Sequence, residues 1–179
     1  MMKTRISFLI LAFAIFANCS QDQNSARVKR GEKLVKLGSC ADCHTSKSMT
    51  PQGPVPNTSK HLAGYLETNK LPEYKSFKGS PWILFAGDLT ATVGPWGVTF
   101  AKNLTPDKET GIGGWTEEMF IQTIRTQKRM GVGRSLLPPM APIMGESLNS
   151  LTDEDLKDIY AYLKSIPAVS NKVPEPILN

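Results

Sequence analysis

Cys40-Ala41-Asp42-Cys43-His44 is the stretch on which the reading of this chain turns. Two cysteines separated by two residues admit several chemistries. A thioredoxin-like redox pair needs a βαβ setting, and none is legible around residues 30–50. A zinc site needs four ligands, and only the distant His61 adds to Cys40, Cys43 and His44. A disulfide across two residues closes a strained ring and leaves His44 without a role. The run C-x-x-C-H instead matches covalent attachment of a c-type haem. Each thiol adds to one vinyl group, and the two-residue spacing lets both sulfurs meet one porphyrin edge. The adjoining histidine then turns under the ring, where its imidazole can hold the iron.

Upstream, Lys3 and Arg5 precede an apolar stretch from Ile6 to Ala17 that is short for a bilayer span and ends at Asn18-Cys19-Ser20. This looks like a bacterial lipoprotein signal over residues 1–18, with Cys19 as the lipidation site and residues 19–25 as a tether. An ordinary secretory leader with an incidental Cys19 is the alternative. Either reading exports the chain to the cell envelope or periplasm. Once Cys19 is set aside, Cys40 and Cys43 are the remaining cysteines of the three.

The 179 residues suffice for one domain, read here as residues 26–169 with a C-terminal tail over 170–179. The tail is read as an extended strap or as disordered. The net charge is +5, partly from the leader, and the propionates of a haem would offset most of the rest. No basic run is interleaved with aromatics, so nothing points to nucleic acid. Thirteen prolines and fourteen glycines, concentrated mid-chain, point to a loop-rich fold.

Three helices are predicted. The first covers 26–38, with Val28, Gly31 and Val35 on one stripe, Ser25 as cap and Gly38 as terminator. The second covers 116–129, with Thr116 as N-cap, Trp115 packing on Phe120, and Gly131-Val132-Gly133 as the stop. The third covers 152–166, with a capping box between Thr152 and Asp155 and a stripe of Leu156, Ile159, Tyr160 and Leu163. From Thr45 to Gly114 no helical period is sustained, and only Trp82–Ala86 and Val98–Phe100 look extended. So long a loop in a compact domain wraps something. Asp107, Glu109 and Thr110 lack the oxygen spacing of an EF-hand and read as a turn.

A distal ligand is sought between the second and third helices. In Leu136-Leu137-Pro138-Pro139-Met140-Ala141-Pro142, prolines on both sides restrict the backbone around Met140. A thioether binds iron weakly and benefits from being held ready. Met144, Met130, Met49 and His61 remain alternatives, as does a gap-filling role for Met140.

Gly31-Glu32-Lys33-Leu34-Val35, Cys40 to His44, Pro138-Pro139-Met140 and Ala161-Tyr162-Leu163-Lys164 together resemble class I c-type cytochromes. Asn103-Leu104-Thr105-Pro106-Asp107 with Gly111-Ile112-Gly113-Gly114-Trp115 is similar to a bacterial branch of single-haem lipoproteins and cytochrome domains of periplasmic dehydrogenases. The resemblance spans Gly31 to Val169. It implies an all-α fold of three main helices around one covalently attached haem c, with a long loop insertion between the haem motif and the second helix. It also implies crossing of the first and last helices near Gly31 and Tyr162, and iron ligation by His44 and Met140.

The function expected is that of a single-haem electron carrier in the cell envelope rather than an enzyme. It would be free-standing or a subunit docked on a redox partner: a dehydrogenase, an oxidase or another cytochrome. A lipid anchor would hold it to the membrane. A haem enzyme or gas-binding protein with an open distal side is the competing class, followed by a tethered haem sensor. Lys33, Lys36 and Lys47, near the motif, are candidates for steering an acidic partner.

Overall fold

The computed structural model describes residues 23–74 and 79–179. The proposed leader and Cys19 lie outside them. Helix α1 runs over residues 23–37, so three residues assigned to the tether are helical. Its end departs from expectation in detail: Ser39, not Gly38, takes the left-handed conformation, with φ 53°. After that reversal the chain enters α2, Cys40–His44, a single turn carrying the whole motif.

Helix α3 covers Glu117–Thr126, and the Thr116 side chain accepts the Met119 amide at 3.1 Å. It stops three residues earlier than expected. Gln127 turns left-handed, and residues 129–131 form a short 3-10 turn instead. A short α4, Gly145–Asn149, follows. Helix α5 covers Asp153–Ser165, and both arms of the Thr152–Asp155 capping box are made.

The all-α expectation is corrected by what lies between the motif and α3. The described residues are mixed, 35% helical and 14% strand, with two sheets among them. Strands β1, Lys47–Thr50, and β2, Gly53–Pro56, form a hairpin. The second sheet has the order β3-β4-β5-β6, all antiparallel, from Leu84–Phe85, Ala91–Gly94, Gly97–Phe100 and Ile177–Leu178. These strands are two to four residues long, too short for alternation to stand out. All four residues of β4 are buried, so no polar face marks the strand in sequence. The C-terminal strap closes the sheet by adding β6 to β5.

The main core gathers Val35 of α1, Leu62 and Ile112 from the loops, Phe120, Ile121 and Ile124 of α3, and Leu156, Ile159 and Leu163 of α5. A smaller cluster, Tyr65, Ala91 and Val173, lies under the second sheet, with Tyr65 against Phe100 at 4.7 Å between ring centroids. Fully buried Leu62, Leu156 and Leu163 each contribute about 1.5–3 kcal/mol. Ion pairs such as Arg27–Glu117 and Arg125–Asp153 are part-exposed, where each adds about 1 kcal/mol at most. Apolar burial therefore decides the helix arrangement.

The crossing of α1 and α5 is tight. A Cβ at Gly31 would fall within the Asp158 carbonyl and 2.9 Å from Tyr162 Cβ. Gly31 therefore meets the α5 backbone first and the root of Tyr162 second. Arg27 and Arg30 reach across the same seam to Asp158 and Asp155.

A polar network ties the loops together. Buried Asn171 donates to the Ala63 and Tyr65 carbonyls at 2.7 and 2.9 Å and accepts from the Glu67 amide. Buried Asn103 donates to the Val169 carbonyl at 2.8 Å and accepts from Thr105 through both its amide and its hydroxyl. The strap over residues 169–171 is thus part of the fold.

Candidate haem site

Helix α2 carries all three motif side chains on one turn. Cys40 and Cys43 are part-buried free thiols. Burial pushes both upward from the ordinary thiol value, and for Cys43 the nearby Lys47 acts against that rise. A thiolate metal site or a reactive redox pair wants the opposite shift, so the surroundings favour neutral thiols.

His44 is 7% exposed. Its Nδ1 lies 2.7 Å from the Lys102 carbonyl oxygen. A carbonyl only accepts, so Nδ1 carries the proton and donates, leaving Nε2 with its lone pair. Nε2 has no hydrogen-bond partner among the described residues. Burial also pushes the imidazole below its ordinary value, with the Lys102 bond opposing. A neutral histidine, fixed in one tautomer by a backbone carbonyl, is what a metal-ligating imidazole requires.

The Lys102 carbonyl is itself held in position. Gly64, at φ 78°, lies so close to it that a Cβ would meet the Ala101 carbonyl and the Lys102 peptide. The Gly64 amide donates to the His44 carbonyl at 2.7 Å, and the Thr45 hydroxyl accepts from the Leu62 amide at 3.0 Å. One glycine therefore joins the motif turn and the carbonyl that orients its histidine.

Met140 is part-buried, in a turn braced by the Ala141 amide to the Leu137 carbonyl and the Met144 amide to the Pro139 carbonyl. The base of that turn is tied to the sheet, because the buried Thr99 hydroxyl donates to the Pro138 carbonyl at 2.7 Å. Thr99 and Lys102 are three residues apart, at most about 11 Å along the chain. A single segment, strand β5 and its exit, thus anchors both the histidine and the methionine loop.

The other ligand candidates differ. Both ring nitrogens of His61 face hydroxyls, Thr45 Oγ1 at 3.5 Å and Tyr162 Oη at 3.3 Å. Met49 is 63% exposed on the first hairpin. Met130 is held at φ 55° in the turn after α3, and Met144 precedes α4. Asp107 is engaged as a turn residue, accepting from the Thr110 amide and hydroxyl at 2.8 and 2.6 Å. Sequence reasoning did not identify Gly64, Thr99 or Lys102. For Lys102 the reason is plain, since its contribution is a main-chain oxygen.

The residues present fit a c-type haem: two neutral thiols one helical turn apart, an adjoining oriented histidine, and a thioether in a loop that is tied through Pro138 to the same anchoring segment. No family model matches the chain. It is 32% identical to the gluconate 2-dehydrogenase cytochrome c subunit of Pantoea cypripedii over 90% of this chain and 28% of that one. Against the cytochrome c subunit of the quinone alcohol dehydrogenase of Gluconobacter oxydans it is 28% identical, over 93% of this chain and 27% of that one. The fructose dehydrogenase cytochrome subunit of Gluconobacter japonicus is 30% identical over 78% of this chain and 22% of its own length. The similarity to these subunits, together with the motif, supports a cytochrome c domain. Its relatives are the cytochrome subunits of dehydrogenases, and the chain spans about a quarter of the length of those curated relatives.

Proposed function

We propose that this chain is a single-haem c-type cytochrome that carries electrons one at a time in the bacterial envelope, with residues 26–169 as the haem domain. Cys40 and Cys43 would hold the porphyrin covalently, His44 would ligate the iron from one side, and Met140 from the other. The bound haem supplies a one-electron ferric/ferrous couple. The observation that carries the reading is the His44 Nδ1 bond to the Lys102 carbonyl at 2.7 Å. It leaves the second nitrogen free to ligate, on the turn that also bears both thiols.

The remaining residues supply rigidity. The Lys102 carbonyl keeps the ring in one orientation and one tautomer. Thr99 restrains the methionine loop through Pro138. His44 and Met140 together would leave no ligand position open to substrate, so the protein would transfer electrons without transforming a metabolite. Met/His ligation raises the reduction potential relative to bis-histidine haem, which suits an acceptor of electrons from a dehydrogenase. A dehydrogenase is the partner we favour, given that the relatives are named as dehydrogenase subunits. Cys19 would carry the lipid that tethers the domain to a membrane.

The test compares ferric spectra of wild type, Met140→Ala and Met144→Leu. Met140→Ala should abolish the sulfur-to-iron charge-transfer band, and Met144→Leu should keep it. The reverse pattern assigns the other methionine. A high-spin wild-type spectrum would instead support a haem enzyme or gas-binding protein.

A further inference from the structure

Helix α2 is one turn long, so its last carbonyls need partners from outside it. Thr45 is already extended, and its amide closes the final helical bond, to the Ala41 carbonyl. In a longer helix the Asp42 carbonyl would take the amide of residue 46. Here it takes the Lys47 ammonium instead. The same ammonium donates to the Thr45 carbonyl at 3.3 Å and to the Asp88 carbonyl at 2.8 Å. All three acceptors are main-chain oxygens, and no carboxylate is within ion-pair reach of Lys47 among the described residues. The Asp88 carboxylate is engaged separately, by the Thr90 amide and hydroxyl. The root of the lysine is fixed as well. The Ser46 carbonyl accepts the Asn57 amide at 2.9 Å, which closes the β1–β2 hairpin that Lys47 opens.

This arrangement sets Lys47 apart from the other lysines near the motif in sequence. Lys33 is exposed and Lys36 bridges to Glu32 along its own helix, whereas Lys47 is half-buried and bound to the motif turn. From its ammonium, one hydrogen bond, the Asp42 carbonyl and one peptide link lead to the Cys43 Cα, a path of about 7 Å. Cys43 would carry a thioether, so the charge lies at the edge by which the porphyrin is attached. Reduction adds one electron to the haem, supplied by the redox partner. A cation held nearby in partly desolvated surroundings favours that reduced form more than a solvated one does. Resting on the haem reading above, we infer that Lys47 is a positioning residue with an electrostatic role. It joins the motif turn to the Asp88 loop and keeps a positive charge at the attachment edge, which raises the reduction potential.

Spectroelectrochemical titration of the haem-loaded protein tests this. Lys47→Met keeps most of the stem and removes the charge. The ferric-to-ferrous ratio at fixed applied potential should then rise about twofold to tenfold, tenfold being 59 mV for one electron. Lys47→Arg keeps the charge and should leave the ratio close to the wild-type value. So should Lys33→Gln, which removes an exposed cation near the motif in sequence. A ratio in Lys47→Met no higher than in Lys33→Gln overturns the inference, even if the melting temperature falls. An equal rise in Lys47→Met and Lys47→Arg overturns it too, because loosening of the turn rather than charge would then set the potential. Should Lys47→Met fail to accumulate with haem, Lys47→Gln against Lys47→Arg decides by the same criterion. A wild-type chain that carries no covalent haem would instead defeat the cytochrome reading itself.

Discussion

Replacing Gly31 by alanine adds one methyl group at the point where α1 meets α5. The new Cβ would overlap the Asp158 carbonyl and approach Tyr162 Cβ to 2.9 Å. The first obstacle is backbone, which cannot swing aside as a side-chain tip can, so the helices must part. Overpacking of this kind costs about 1–3 kcal/mol, and a main-chain obstacle argues for the upper end. Alanine recovers about 1 kcal/mol of helix propensity over glycine, leaving about 2 kcal/mol of net loss. For a domain of this size that lowers the melting temperature by about 4–8 °C. Parting the helices also strains the Arg27–Asp158 and Arg30–Asp155 pairs, a smaller effect at part-exposed positions. Thermal unfolding followed by far-ultraviolet circular dichroism measures the shift. Lys33→Ala, an exposed position on the same helix, is the control and should change stability by about 0.5 kcal/mol or less. Gly31→Ala protein as stable as wild type would refute the close-crossing argument.

Thr99→Val keeps the shape but deletes the hydroxyl that donates to the Pro138 carbonyl. A net loss of about 1 kcal/mol is expected there, and it should fall on the methionine loop. Exogenous imidazole should then displace the Met140 ligand about fivefold to tenfold more readily in spectral titrations, and an unchanged affinity would show that Thr99 does not brace the ligand. Asp155 accepts from the Thr152 hydroxyl and amide and from Arg30, which together lower its carboxyl to about 2. Because the folded value lies below the ordinary value near 4, the resulting stability is complete above that value. It drains away as pH falls toward 2. Asp155→Asn should flatten this part of an acid unfolding curve, and a curve of unchanged slope would remove Asp155 as its source.

What the sequence disclosed and what it hid divide along the range of the interactions. The capping box at Thr152 and Asp155 and the cap at Thr116 are made by residues within four positions of each other, so their letters suffice. The sequence points to Gly131-Val132-Gly133 as the stop of this helix, because glycine ends helices most readily; Gln127 turns left-handed first, and nothing in its neighbours signals it. The sheet was hidden because its pairings are long-range and its strands minimal. Gly97 and Val98 pair with Leu178 and Ile177 from the far end of the chain, and the wholly buried β4 shows no alternation. The haem motif was legible because covalent chemistry fixes its spacing. Its support was not, because Lys102 acts through a carbonyl that any residue could supply. Gly64 also lies too far from the motif in sequence to be linked to it.

Intact-mass measurement of the purified exported chain, before and after acid–acetone extraction, tests the central claim most directly. The account predicts a mass increase of one haem that survives extraction, and its loss in a Cys40→Ala/Cys43→Ala variant. A wild-type chain with no haem, or with haem that leaves in the organic phase, would contradict it.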